Sequence, residues 1–199
     1  MKTKLFAIIT CFVFPSIVIA DGHTNSSANW AGFYAGGLVS LDGGTYTSSL
    51  NGGPPQDPAL AFDAATGFGG FFGYNIQNGS MVYGGELAFT SSQQVSTNFP
   101  GSSFTGSLDA KLRVGQSTGS ALIYGVLGYS FNEFVSGGNG NFATQGLAFG
   151  AGVDVMVTDR IFVGGEFLIR NLAADGTEFP QWRLEANTQS LQIRAGIKF

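Results

Sequence analysis

The last nine residues, Leu191-Gln192-Ile193-Arg194-Ala195-Gly196-Ile197-Lys198-Phe199, alternate strictly between two faces. Leu191, Ile193, Ala195, Ile197 and Phe199 share one face, and Gln192, Arg194, Gly196 and Lys198 share the other. A period of two is the signature of a strand. The constraint is tighter over residues 104–115, where Leu108, Ala110, Leu112 and Val114 alternate with Ser107, Asp109, Lys111 and Arg113. Three charges on one face of one strand do not suit the packed core of a soluble sandwich. They suit a barrel with a polar interior and an apolar outer wall. The solvated face of a soluble sheet is the alternative, and a lipocalin-like ligand barrel would need the opposite facing, with aromatics inside.

The start of the chain favours the membrane. Lys2 and Lys4 precede an apolar run over residues 5–19, and Val18-Ile19-Ala20 offers a small residue for cleavage, the layout of an export signal. Pro15 interrupts that run, which is short for a spanning helix. The expected organisation is a signal peptide over residues 1–20, a polar flexible lead over 21–29 and a barrel domain over 30–199. Cys11 would leave with the signal, removing disulfides and cysteine chemistry. Without Lys2 and Lys4, seven basic residues face 13 acidic ones, which argues against nucleic acid as a partner. The 31 glycines would suggest disorder, but 19 phenylalanines and a charged fraction of 11% do not.

Eight strands are expected, over about 30–41, 64–75, 81–90, 104–115, 121–134, 144–157, 161–171 and from about 186 to the end. Long loops follow the first, third, fifth and seventh (42–63, the stretch through Pro100 to 103, 136–143 and 172–185). Short turns follow the second, fourth and sixth (77–80 with Asn78-Gly79, 116–120, and Thr158-Asp159-Arg160). Strands of roughly 9–11 residues cross a bilayer when tilted, and closure leaves no edge exposed to lipid. The fold class is therefore all-β, an eight-stranded antiparallel up-and-down transmembrane β-barrel. Phe68, Phe72, Tyr74, Leu87 and Phe89 are expected outward, Trp30 at the membrane interface. The facing of 121–134 is ambiguous, with Leu127, Tyr129 and Phe131 favoured outward.

Several motifs carry a family resemblance. Trp30-Ala31-Gly32-Phe33-Tyr34-Ala35-Gly36-Gly37 is similar to the opening strand of small porin-like outer-membrane proteins of the OmpA-like eight-stranded barrel superfamily. Gly73-Tyr74-Asn75, Gly150-Ala151-Gly152-Val153-Asp154, Gly165-Glu166-Phe167 and the terminal Arg194-Ala195-Gly196-Ile197-Lys198-Phe199 resemble theirs too, in order and spacing. The resemblance covers the whole mature chain and implies residence in the Gram-negative outer membrane. It further implies that Phe199 belongs to the signal read by the barrel-assembly machinery, after passage through the periplasm with chaperones. Outer-membrane lipids and lipopolysaccharide are the implied surroundings. No peptidoglycan-binding domain follows the last strand, so the anchoring role of two-domain relatives is in doubt.

The facing places Glu86, Asp109, Asp154 and Glu166 in the interior against Lys111, Arg113, Arg170, Arg194 and Lys198. In so narrow a barrel these side chains fill the lumen, and buried charges must pair. The bland reading is an ion-pair network that holds the barrel closed; the sharper one is a narrow gateable pore for ions or small solutes. Enzymatic activity is not expected. His23, the one histidine, lies in the N-terminal lead, and no nucleophile with an access path accompanies Glu86 or Glu166. No cofactor or metal site is expected, in the absence of a His/Cys cluster. The expected role is a non-enzymatic integral outer-membrane protein that supports envelope integrity. Its loops would carry Asp42, Asp57, Asp63, Glu133, Asp175 and Glu178, with Arg183 as counter-charge.

Overall fold

The computed structural model describes residues 28–50, 53–55, 59–97, 101–136, 140–175 and 182–199. The expected signal peptide, with Cys11, and residues 21–27 of the expected lead, with His23, lie outside the described residues, as do Asp57 and Glu178. The described chain is all-β: β1 (Gly32–Leu50), β2 (Leu60–Asn78), β3 (Met81–Ser91), β4 (Gln94–Val95), β5 (Ser103–Thr118), β6 (Ala121–Ser136), β7 (Gly140–Met156), β8 (Ile161–Asp175) and β9 (Trp182–Lys198). Eight long strands pair antiparallel with their sequence neighbours, β4 being a two-residue addition at the rim of β5. β1 pairs with β9 and β3 with β5, which closes the wall.

Alternation sets the wall. Phe68, Phe72, Leu87, Leu112 and Ile193 point outward, Ile193 being 72% exposed, while Ser40, Asp109, Ser130 and Gln192 on the opposite faces are fully buried. β6 faces as favoured: Leu127, Tyr129 and Phe131 are outside, and Leu122, Tyr124 and Val126 are inside. Two of the tight turns are two-residue loops beginning with glycine, Gly79-Ser80 and Gly119-Ser120. These glycines have φ of 60° and 56°, a conformation that favours glycine. Asn78 pairs with Met81 as the last strand residue, so it is not the first turn residue that the Asn-Gly signal suggests.

The strands are longer than expected, 11–19 residues for the eight staves. Much of 42–63 and 172–185, read as loop from its Gly, Ser and Pro content, continues the neighbouring strands. The reason is that the pattern inverts instead of ending. Near the long-loop end, Tyr46, Phe62, Leu172, Leu184 and Ala186 turn inward, while Thr45, Asp63, Asn171, Arg183, Glu185 and Asn187 face outward. A wall leaving lipid for water must exchange its faces in this way. On β9 the switch lies between Asn187 and Leu191. The nine residues from Leu191 to Phe199, at ~3.4 Å rise and ~40° tilt, cover roughly 20 Å, close to the ~25 Å apolar band of such barrels.

Trp30 departs from expectation. It is 2% exposed and sits inside the short-turn end, its ring edge-on to Phe162 at 5.9 Å. Its position is fixed by the backbone before β1, which crosses the mouth of the barrel. Ala28 N–H donates to the Gly119 carbonyl at 2.8 Å, and Trp30 N–H donates to Gln77 Oε1 at 2.7 Å. Asn29 accepts from Lys198 Nζ through its carbonyl at 2.7 Å.

Charge tolerance should follow the inversion. Leu112→Arg, in the middle of the apolar band, is expected to cost about 2–4 kcal/mol in reversible unfolding from lipid bilayers, and Asn187→Arg, above the band, about 1 kcal/mol or less. Equal costs at the two positions would place the membrane boundary elsewhere.

Candidate functional site

Alternation along β3, β5, β7, β8 and β9 brings one charged cluster to mid-lumen. Glu86 is its hub. Its Oε1 lies 2.7 Å from Lys111 Nζ, and its Oε2 lies 3.0 Å from Arg113 Nη1 and 2.5 Å from Arg194 Nη2. Tyr34 hydroxyl donates to the same Oε2 at 2.9 Å. Glu166 takes Lys111 Nζ at 2.6 Å and Arg194 Nη1 at 3.0 Å, and Tyr124 hydroxyl donates to its Oε2 at 3.0 Å. Asp154 takes Arg113 Nη2 at 2.5 Å and lies 3.5 Å from Arg194 Nε. The guanidinium of Arg113 stacks 3.8 Å from the Tyr124 ring centroid, and that of Arg194 lies 4.0 Å from the Phe71 centroid. Three acids and three bases thus neutralise one another, with aromatic faces covering what the carboxylates leave open.

Two glycines make this possible. A Cβ on Gly73 would overlap the Tyr34 hydroxyl and one on Gly152 the Tyr124 hydroxyl, so the absent side chains leave both phenols room to reach the acids.

Toward the long-loop end lies a second, smaller group. Arg170 grips Asp109 with two bonds, Nε to Oδ1 at 2.9 Å and Nη2 to Oδ2 at 2.6 Å, and its Nη1 donates to Ser190 Oγ at 2.6 Å. Ser190 Oγ in turn donates to Asp42 Oδ1, and Ser40 Oγ donates to Asp42 Oδ2 at 2.7 Å.

Of the nine interior charges read from the sequence, Glu86, Asp109, Lys111, Arg113, Asp154, Glu166, Arg170 and Arg194 are buried in the lumen. Lys198 is not with them. It sits at the short-turn rim, where its ammonium holds the Asn29 carbonyl, because the last strand ends there and its inward positions open to solvent. Asp42, assigned to a loop, is 5% exposed and inside, because β1 continues past it to Leu50. Tyr34 and Tyr124 were missed as partners of the acids. For Tyr34 a signal was present, a phenol on a strand face shared with Gly36 and Ser40, whereas Tyr124 lies between Leu122 and Val126 on a strand whose facing the sequence left open.

Aromatic layers bound these charges at both ends. Trp30, Tyr34, Phe71, Leu122 and Phe162 pack at the short-turn end, and Tyr46, Phe62, Phe104, Phe134 and Leu184 at the other. Between Trp30, Tyr34, Asn75, Arg113 and Asp154 no water-sized space is open, and the cavity between Asp42 and Arg170 offers about 10 Å³ to a water-sized sphere. Among the described residues no cluster of three or more His, Cys, Asp or Glu is arranged to hold a metal ion.

The family model for the outer membrane protein beta-barrel domain matches residues 12–199. A 22 kDa outer membrane protein of Rhizobium leguminosarum bv. viciae is 25% identical over 188 residues, covering 90% of this chain and 82% of the relative. The crystal structure of the outer membrane protein OprG from Pseudomonas aeruginosa superposes with a TM-score of 0.54 at 14% identity, covering 87% of this chain and 98% of that one. Neisserial surface protein A gives a TM-score of 0.52 at 15% identity, covering 89% of this chain and 100% of that one. At those identities the two structures establish the fold alone.

Removing the hub should be costly and partly reversible. Glu86→Gln leaves Lys111, Arg113 and Arg194 under-compensated and is expected to lose about 3–5 kcal/mol in urea unfolding from bilayers. Adding Lys111→Met should recover part of that loss, whereas Lys198→Gln at the rim should change stability by about 0.5 kcal/mol or less. A double variant no more stable than Glu86→Gln alone would contradict the network.

Proposed function

Because the chain belongs to the outer membrane protein beta-barrel domain family, we propose that it serves the envelope as a closed, non-enzymatic barrel. It lies in the outer membrane of a Gram-negative cell, and its role is to maintain that wall and to carry its loops to the outside. The observation that supports this reading is the filled lumen: a neutralised charge network lies between two aromatic layers, and the cavity within holds about 10 Å³. That is less space than a chain of waters requires. A narrow channel would need the network and both layers to part together. The carboxylates Glu86, Asp154 and Glu166 are each engaged by cations and by a tyrosine hydroxyl, which leaves a substrate no route to them. This favours a structural over a catalytic role.

The surroundings follow from the two faces of the wall. Lipid tails contact the apolar band. Above it, Thr45, Thr47, Asn171 and Asn187 form a polar ledge at the height of lipopolysaccharide sugars, with Asn187 Nδ2 donating to Asn171 Oδ1 at 2.7 Å. Assembly is assigned to the barrel-assembly machinery acting on Phe199, after delivery by periplasmic chaperones. Phe199 is 73% exposed, and its N–H donates to the Phe33 carbonyl at 2.9 Å on the opening strand.

Refolded protein in planar bilayers, shown to be folded by heat-modifiable gel migration, should give no discrete conductance steps. Reproducible single-channel openings from the unaltered chain would overturn the closed reading in favour of the pore. In cells, Phe199→Ala should lower the amount of heat-modifiable protein in outer-membrane fractions several-fold. Unchanged levels would remove the assembly role of that residue.

A further inference from the structure

The charges in the lumen do not balance, and the imbalance has an address. In the lower group Glu86, Asp154 and Glu166 face Lys111, Arg113 and Arg194, three against three. In the upper group Asp42 and Asp109 have Arg170 as their one directly bonded cation among the described residues. Arg170 is committed to Asp109 through two bonds, and Asp42 is met only by the hydroxyls of Ser40 and Ser190. A carboxylate 5% exposed whose direct partners are hydroxyls, and whose neighbouring cation is bonded to a second carboxylate and reaches it only through Ser190, is an under-compensated buried charge.

The same cavity contains oxygen atoms with nothing to bind. Thr90 Oγ1, Ser92 Oγ and Gln94 Oε1 are buried without hydrogen-bond partners, on residues 2%, 8% and 8% exposed. All three residues line the cavity with Asp42 and Arg170, and its volume is about 10 Å³. Gly67 brings two of the walls together, since a Cβ there would come within 2.8 Å of both Asp42 Oδ2 and the Thr90 methyl group. A water molecule needs ~10–15 Å³, so it fits barely, and it would bring no charge. A bare cation of about 1 Å radius is smaller, supplies the missing charge, and prefers an all-oxygen shell of carboxylate, amide and hydroxyl.

We propose that the upper lumen binds one dehydrated monovalent cation of sodium size, held by Asp42 with Thr90, Ser92 and Gln94. Beside the site the wall is not continuously laddered. Pairing of β2 with β3 ends at Phe68–Ser91 and resumes at the Phe62–Ser96 bridge, which gives an ion a way in that needs no opening of the aromatic layers. The site ties the stability of the outer half of the barrel to the cation content of the medium.

The test is urea unfolding of the refolded protein in detergent micelles, in sodium chloride and in choline chloride at equal ionic strength. Choline is too large for the cavity. Sodium should raise the folded-to-unfolded ratio by about ten-fold at a concentration ten times its dissociation constant, and the effect should saturate. Asp42→Asn should abolish the difference between the two salts, and Thr90→Val should reduce it. If Asp42→Asn does not fold, Thr90→Val and Gln94→Leu decide the matter by the same comparison. Identical midpoints in sodium and choline would overturn the proposal. So would a sodium effect that survives all three substitutions, which would place the ion elsewhere. A midpoint that follows pH but not the cation would also overturn it, since Asp42 would then be neutralised by a proton.

Discussion

Nine charged side chains among the described residues are buried inside a wall eight strands around, and the rest of the structure accommodates that fact. The cost of an unpaired buried ion exceeds what most single contacts return. Each cation in the lower group is therefore shared by two or more carboxylates, Lys111 by Glu86 and Glu166, Arg113 by Glu86 and Asp154, Arg194 by all three. The phenols of Tyr34 and Tyr124 fill remaining acceptor positions, and glycines on the neighbouring strands yield the space they occupy. Four strands and more are thus cross-linked through the middle as well as around the rim. The same arrangement that holds the cylinder places side chains across its axis.

Much of this was legible in the sequence, because the period-two pattern carries both the element type and its facing. The charged face of Asp109, Lys111 and Arg113 could point only inward once lipid lay outside, and the structure places all three in the lumen. The single facing left ambiguous, that of β6, was ambiguous because both its faces are apolar. Its inner face packs Leu122, Tyr124 and Val126 into an aromatic layer and carries no charge.

What was not legible shares one cause. Composition was used to end strands, and strands outside lipid have the composition of loops. Asp42 follows Leu41 and begins a Gly-rich stretch, yet β1 runs on to Leu50 with Tyr46 inward. The marker was the phase of the alternation, in which Tyr46, Leu172 and Leu184 keep the inner register after polar residues have taken the outer one. Lys198 failed in the opposite sense: its register is inward, but the wall ends beside it. Trp30 was assigned by the habit of its residue type, whereas the backbone before β1 turns across the mouth and carries the indole inside.

That crossing segment depends on the whole wall. Residues 28–30 are held by Gly119 at the β5–β6 turn, by Gln77 next to the β2–β3 turn, and by Lys198 at the end of the last strand. These three anchors come from distant parts of the chain and become neighbours only when the cylinder has shut. The seat of residues 28–30 is therefore a property of the closed cylinder as a whole, since no single strand or hairpin supplies it.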